Sequence, residues 1–148
     1  MKKSAGQGEP EQKGKMLSEE EDFFSPLAYK RWINPLYKGS LEDPDGYARL
    51  TGECGETIEI SLKFDGDHVS RAAFMTEGCA AITVCGSFAA EMAIGKNPEG
   101  ILEITGDTIM EAVGSFPKEE AHCAFLASET LQEALHDYMS SQARSKSI

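Results

Sequence analysis

Positive charge is scarce in this chain: 14 Lys and Arg stand against 25 Asp and Glu, a formal net charge of −11. Binding to a nucleic-acid backbone needs dense neutralisation of phosphates by Lys and Arg, so no nucleic-acid partner is expected. Long apolar runs are missing too. Nothing approaches the roughly 20 apolar residues that a spanning helix requires, so no membrane partner is expected either. The opening MKKSAGQGEPEQKGK carries positive charge with no apolar stretch behind it, which does not read as a secretory signal, and the expected compartment is cytoplasmic. There is no internal repeat and no CxxC pair. An acidic surface of this kind solubilises the chain or suits a basic protein partner.

What the chain does have is a core and four cysteines. Hydrophobic residues make up 41% of 148, enough for one ordinary globular domain. Cys54, Cys79, Cys85 and Cys123 would suggest disulfides in a secreted miniprotein; in a cytosolic chain of this size they point to metal binding or catalysis.

Residues 1–20, rich in Gly, Lys, Glu and Gln, have nothing to bury and read as a flexible arm, with 18-SEEED-22 a solvated acidic run. The domain proper is expected over 21–140, followed by a flexible tail at 141–148. In 25-SPLAYKRWINPLY-37, Ser25 is a helix N-cap and Pro26 the first helical residue, Trp32 belongs to the core, and Asn34-Pro35 ends the helix. Tyr47–Glu53 reads as a strand. Ile58, Ile60, Leu62 and Phe64 alternate with Glu59, Ser61 and Lys63, a strand with one buried face. Asp65-Gly66-Asp67 turns into a third strand, Val69–Thr76, and the short joins make the sheet antiparallel. Helical patterns follow: one from near Cys79 to Gly95, two short ones at 97–102 and 107–113, and a last one from about His122 to Ser140. Strands first and helices afterwards predict an α+β fold, a three-stranded antiparallel sheet with helices on one face.

Three cysteines sit at junctions between these elements: Cys54 between the first two strands, Cys79 in 77-EGCAA-81, and Cys123 in 121-AHCAF-125. Ends of elements can converge at one sheet edge. A thiol at a helix N-terminus faces unpaired N–H groups and the positive end of the dipole, so a lowered pKa is expected for Cys79 and Cys123. Gly55 and Gly78 allow close backbone approach beside the thiols. Three thiolates with one oxygen or nitrogen ligand, Glu56 or His122, suit zinc or an iron–sulfur cluster. The harder fourth ligand favours release over retention. A structural zinc site or inert thiols is the plainer alternative. A Cys–His hydrolase is not expected, because neighbours in sequence such as His122 and Cys123 lie about 100° apart on a helix. His68 and His136 read as solvated. Cys85, six residues beyond Cys79, should face away from it as a small packing residue; a spare thiol for persulfide relay is the sharper alternative.

The ordered blocks 34-NP, 52-GECGE-56, 78-GCAAITVCGS-87, 95-GK-96 and 122-HC-123 resemble the NifU-like (IscU-type) iron–sulfur cluster assembly scaffold family, from about Ser25 to Tyr138. The resemblance implies a small α+β scaffold, not an enzyme, that assembles a transient, labile 2Fe–2S cluster and passes it to recipient apoproteins. It puts the metal ligands at Cys54, Cys79 and Cys123, with Glu56 and His122 as auxiliary donors. It implies a cysteine desulfurase as sulfur source, Cys123 as persulfide acceptor, and an iron donor. Zinc in the same site, in a persulfide acceptor acting as a sulfur transferase, is the alternative. That branch typically carries an insertion between its second and third ligand cysteines, and the Cys79–Cys123 interval has none. Two departures stand out. The family's acid is usually Asp, one methylene shorter than Glu56. Its Leu-Pro-Pro-Val-Lys segment, recognised by a dedicated Hsp70-type chaperone, is replaced by 116-FPKEE-120, with Glu120 where the family has Lys; chaperone-assisted transfer is therefore not implied.

Overall fold

The computed structural model describes residues 24–115 and 117–146; the expected arm at 1–20 lies outside them. Helix α1 (Pro26–Ile33) begins as its sequence dictates: the Ser25 hydroxyl accepts from the Ala28 N–H at 3.0 Å, and Pro26 fills the first turn, where an N–H would have no partner. Strands β1 (Gly46–Thr51), β2 (Thr57–Asp65) and β3 (His68–Glu77) form one antiparallel sheet in the order β1-β2-β3. Helices α2 (Ala80–Ala93), α3 (Pro98–Leu102), α4 (Gly106–Val113) and α5 (Ala121–Lys146) follow, α5 entered through a 3₁₀ turn at Lys118–Glu120. The expected α+β architecture holds.

Ile58, Ile60 and Leu62 are fully buried, with Phe74 beside Ile60 on β3. Against this face lie α2, through Ile82 and Ala89, and α5, through Leu131 and Leu135. Each such aliphatic side chain contributes about 1.5–3 kcal/mol by leaving water. Close approach of α2 depends on Gly86, where a Cβ would fall 2.7 Å from the Phe74 ring. Trp32 is half-buried against the core, next to Phe24 at 6.0 Å between ring centroids. Cys85 is wholly buried, as a packing residue should be, and burial pushes its thiol pKa well up.

Two of the boundaries that differ from expectation have a local cause. Strand β1 stops at Thr51 rather than Glu53, because the Gly52 N–H turns to the Glu56 carbonyl at 2.8 Å and closes a tight turn. Helix α5 does not end near Ser140 but continues to Lys146, through the first six residues of the expected tail. The segment SQARSK has no Gly or Pro to stop it and contains good helix formers.

The register explains the position of the cysteine junctions. Thr51 pairs with Thr57, and Thr57 with Glu77, so the chain leaves β1 and β3 at one edge of the sheet. Cys54 lies three residues past the first of these exits and Cys79 two past the second. Helix α5 crosses β1 with Ala134 over Gly46 and Leu126 over Gly52, which brings its N-terminal turn to that same edge. Cys123 is carried there.

Candidate metal centre

Cys54 sits exposed in the 52–55 turn, where Gly55 adopts φ +90°. The turn delivers Glu56 to the start of β2 with its side chain pointing inward, only 5% exposed. Room for that carboxylate is made by two glycines. A Cβ at Gly52 would lie 3.1 Å from Glu56 Oε2, and one at Gly78 would lie 2.8 Å from the Glu56 Cβ. Gly78, at φ +144°, thus serves the acid as much as the neighbouring thiol, and Gly52 leaves room for the same carboxylate.

Glu56 Oε2 lies 2.7 Å from His122 Nε2 and accepts from the Cys123 thiol at 4.0 Å. Its other oxygen, Oε1, is buried with no hydrogen-bond partner among the described residues. A buried carboxylate oxygen without a donor is costly unless a cation or another donor meets it. The donor chemistry fits a thiophilic metal ion or cluster: thiols for a soft metal, imidazole and carboxylate to complete the set.

Cys79 is the N-cap of α2 and Cys123 the third residue of α5, with 4.0 Å between their sulfurs. Their pKa values move in opposite directions. Cys79 is lowered to about 6, chiefly because its thiolate accepts a hydrogen bond from Cys123, assisted by the N–H groups of Ile82 and Ala81 and opposed by burial. Cys123 is raised, first by being the donor in that hydrogen bond and second by its burial. The lowering expected at both helix starts therefore occurs at Cys79 and is reversed at Cys123, whose sulfur is buried and donates to its neighbour.

His122 and Cys123 do approach each other, at 3.8 Å between Nε2 and Sγ, contrary to the expectation from helical angle. They still do not form a relay. A hydrolytic triad uses one imidazole nitrogen for the nucleophile and the other for the orienting carboxylate. Here the same Nε2 faces both Cys123 and Glu56. His68 and His136 are remote surface groups, half-exposed and mostly exposed, each beside an adjacent acid.

The residue the sequence reading noted only as a departure is Glu120. Its Oε1 lies 3.6 Å from Cys79 Sγ and 3.8 Å from Cys123 Sγ. A carboxylate three residues before Cys123, one helical turn away, is the signal that could have found it. Six side chains thus form two groups of three, Cys54–Glu56–His122 and Cys79–Glu120–Cys123, each with donor atoms within 4.8 Å of one another.

A small α+β domain that gathers thiols, carboxylates and an imidazole at one sheet edge is of the metal- or cluster-binding class. Comparison narrows it: residues 25–145 match the model of the NifU-like N terminal domain, and the chain belongs to that family. Over 116 residues it is 37% identical to the iron-sulfur cluster assembly scaffold protein IscU 1 of Archaeoglobus fulgidus, an alignment covering 78% of this chain and 76% of the relative. It is 32% identical to the iron-sulfur cluster assembly scaffold protein IscU of Aquifex aeolicus, covering 76% and 74%. Among solved structures, the N-terminal NifU-like protein of Brucella abortus superposes with a TM-score of 0.66 over 81% of this chain and 96% of that one; at 18% identity this supports the fold alone.

Proposed function

We propose that this protein is a scaffold on which a labile 2Fe–2S cluster is built from iron and desulfurase-derived sulfur and then handed to apoproteins. The observation that carries the reading is convergence. Of three thiols separated by 25 and 44 residues in sequence (79 − 54 and 123 − 79), Cys79 and Cys123 lie 4.0 Å apart, and Cys54 is grouped with Glu56 and His122, which border Cys123. Cys54 and Cys79 are open to solvent and Cys123 is not, so the site has an accessible mouth and a sheltered floor. A site open on one side suits passage of its cargo in and out.

Iron and sulfide are the cargo, and the protein's own part is to hold and orient them. Cys54, Cys79 and Cys123 supply thiolates, and Glu56 or His122 completes the set with a harder, more exchangeable donor. Sulfur arrives as a persulfide on the donor enzyme. The Cys123 thiolate attacks its outer sulfur, the S–S bond breaks, and the donor's cysteine leaves as a thiolate. Two electrons from an external reductant then split the new persulfide into sulfide and free Cys123 thiolate. The Cys79 thiolate and Glu120 hold the buried Cys123 thiol protonated, so its thiolate forms as cationic iron offsets their charge, with Glu56, Glu120 and Cys79 the proton acceptors within 4.0 Å.

In this reading the chain is a carrier, its partners are a cysteine desulfurase, an iron donor and recipient apoproteins, and it works in the cytoplasm. Among the described residues no helix is long and apolar enough to cross a membrane. A dedicated Hsp70-type chaperone is not among the proposed partners, since 117-PKEE-120 replaces the sequence such a chaperone reads. The test is anaerobic reconstitution with ferrous iron, cysteine and a desulfurase. A thiolate-to-iron chromophore should appear, vanish in Cys54→Ala, Cys79→Ala and Cys123→Ala, and persist in Cys85→Ala. A colourless zinc protein that accepts sulfur would overturn the scaffold reading in favour of a sulfur transferase. One that accepts none and unfolds on chelation would be a structural zinc domain.

A further inference from the structure

Four protein ligands suffice for a binuclear cluster, yet six donors converge here. Glu120 is the addition, and it stands where the family resemblance places a lysine. With its carboxylate the rim divides into two complete donor sets, Cys54–Glu56–His122 and Cys79–Glu120–Cys123. They abut: Cys123 Sγ is 3.8 Å from His122 Nε2 and 4.0 Å from Glu56 Oε2.

We infer that the chain takes up two divalent transition-metal ions side by side before any sulfur arrives, one on each donor set, and that Glu120 creates the second position. The inference rests on the scaffold reading of the same rim and adds an order to it: both metals first, then sulfur. Each set provides three ligands including at least one sulfur, leaving a further place open to water or incoming sulfur, as in metal sites that keep an exchangeable position. Facing donors of the two sets are 3.8–4.0 Å apart, so ions held on them would be immediate neighbours, as in binuclear centres.

Charge makes the same point. With all three thiols ionised, two carboxylates bring the rim to five negative charges, and like charges packed this closely repel one another. One divalent ion leaves three of those charges uncompensated; two leave one. A lysine at position 120 would supply a fixed positive charge in place of the second ion. The Glu56 oxygen that has no donor among the described residues also fits a rim organised around cations. Glu120 as an ordinary solvated acid at a helix start is the competing view. Against it, the carboxylate is half-buried and one oxygen sits between two sulfurs.

The experiment is anaerobic titration of the reduced, metal-free full chain with cobalt(II). Ligand-field and thiolate-to-cobalt bands are followed, and bound ions are counted by native mass spectrometry. The expected result is two equivalents per chain in the wild type and one in Glu120→Lys and Glu120→Gln. A Glu119→Gln control, altering the exposed neighbouring acid, should keep two. One equivalent in the wild type, or two in both Glu120 variants, would overturn the inference. Cluster reconstitution on the same samples separates the two readings. A wild type that binds one cobalt yet builds the chromophore keeps the scaffold and loses the two-ion loading; one that builds no chromophore loses the scaffold.

Discussion

Glu56 Oε2 and His122 Nε2 lie 2.7 Å apart although 66 residues separate them in sequence (122 − 56). The contact joins the first turn of the sheet to the first turn of the last helix and holds the two halves of the site in register. It also explains how a glutamate can work where the family usually has an aspartate. The extra methylene is accommodated by the space that Gly52 and Gly78 leave, and the carboxylate still reaches the imidazole.

Removing that carboxylate should weaken metal binding. Glu56→Ala is expected to lower zinc affinity by at least about tenfold, the scale seen when a metal site loses a ligand or its orienting partner. Glu53→Ala, an exposed acid three residues earlier, should leave it unchanged. Competition with a chromophoric chelator measures both. Equal affinities for the two variants would show that Glu56 is only a structural acid.

Thiol reactivity should be divided. In the metal-free protein Cys79 is a thiolate above about pH 6, and this reactive form is lost as pH falls through that value. Alkylation at Cys79, followed by peptide mapping against pH, should show its midpoint near there. Cys123→Ala deletes the hydrogen bond that is the largest cause of the lowering, so the midpoint should rise. Cys85, fully buried with a raised pKa, should be labelled only after denaturation. Rapid labelling of Cys85 in the native protein would contradict its packing role.

Two glycine-to-alanine changes near the rim should differ in cost. Gly55 and Gly78 both have positive φ, a conformation that costs a side chain roughly 1–3 kcal/mol. At Gly55 nothing lies within 4 Å of an added methyl, whereas at Gly78 it would sit 2.8 Å from the Glu56 Cβ. Gly78→Ala is therefore expected to destabilise more in urea unfolding and to displace Glu56, lowering zinc affinity as well. Gly55→Ala should affect stability with less effect on affinity.

Gly86→Ala tests the core. Helix propensity alone would stabilise α2 by about 1 kcal/mol. The new methyl would instead meet the Phe74 ring at 2.7 Å and Ile58 at 3.2 Å, and overpacking of this kind costs about 1–3 kcal/mol. Net destabilisation is the expected sign. A more stable variant would mean that α2 can lift off the sheet without penalty.

Much of this molecule was legible in its linear order. The alternation of Ile58, Ile60, Leu62 and Phe64 fits a strand with one buried face, and Ser25-Pro26 before an apolar-periodic segment fits a helix start, because these are local constraints of pleat and cap. Likewise, thiols at three element junctions with an acid and a histidine beside them announced metal chemistry from residue type and spacing. Distances across the chain were decided by packing alone. The register of Thr51, Thr57 and Glu77 and the lie of α5 over Gly46 and Gly52 bring the junctions together, and no local pattern encodes that sum. The tertiary structure likewise set the unequal fates of Cys79 and Cys123, since pKa follows from which sulfur is exposed and which donates. It also turned Glu120 from an acid in a loop into a neighbour of two thiols, because only folding places a side chain from the start of α5 beside one from the start of α2.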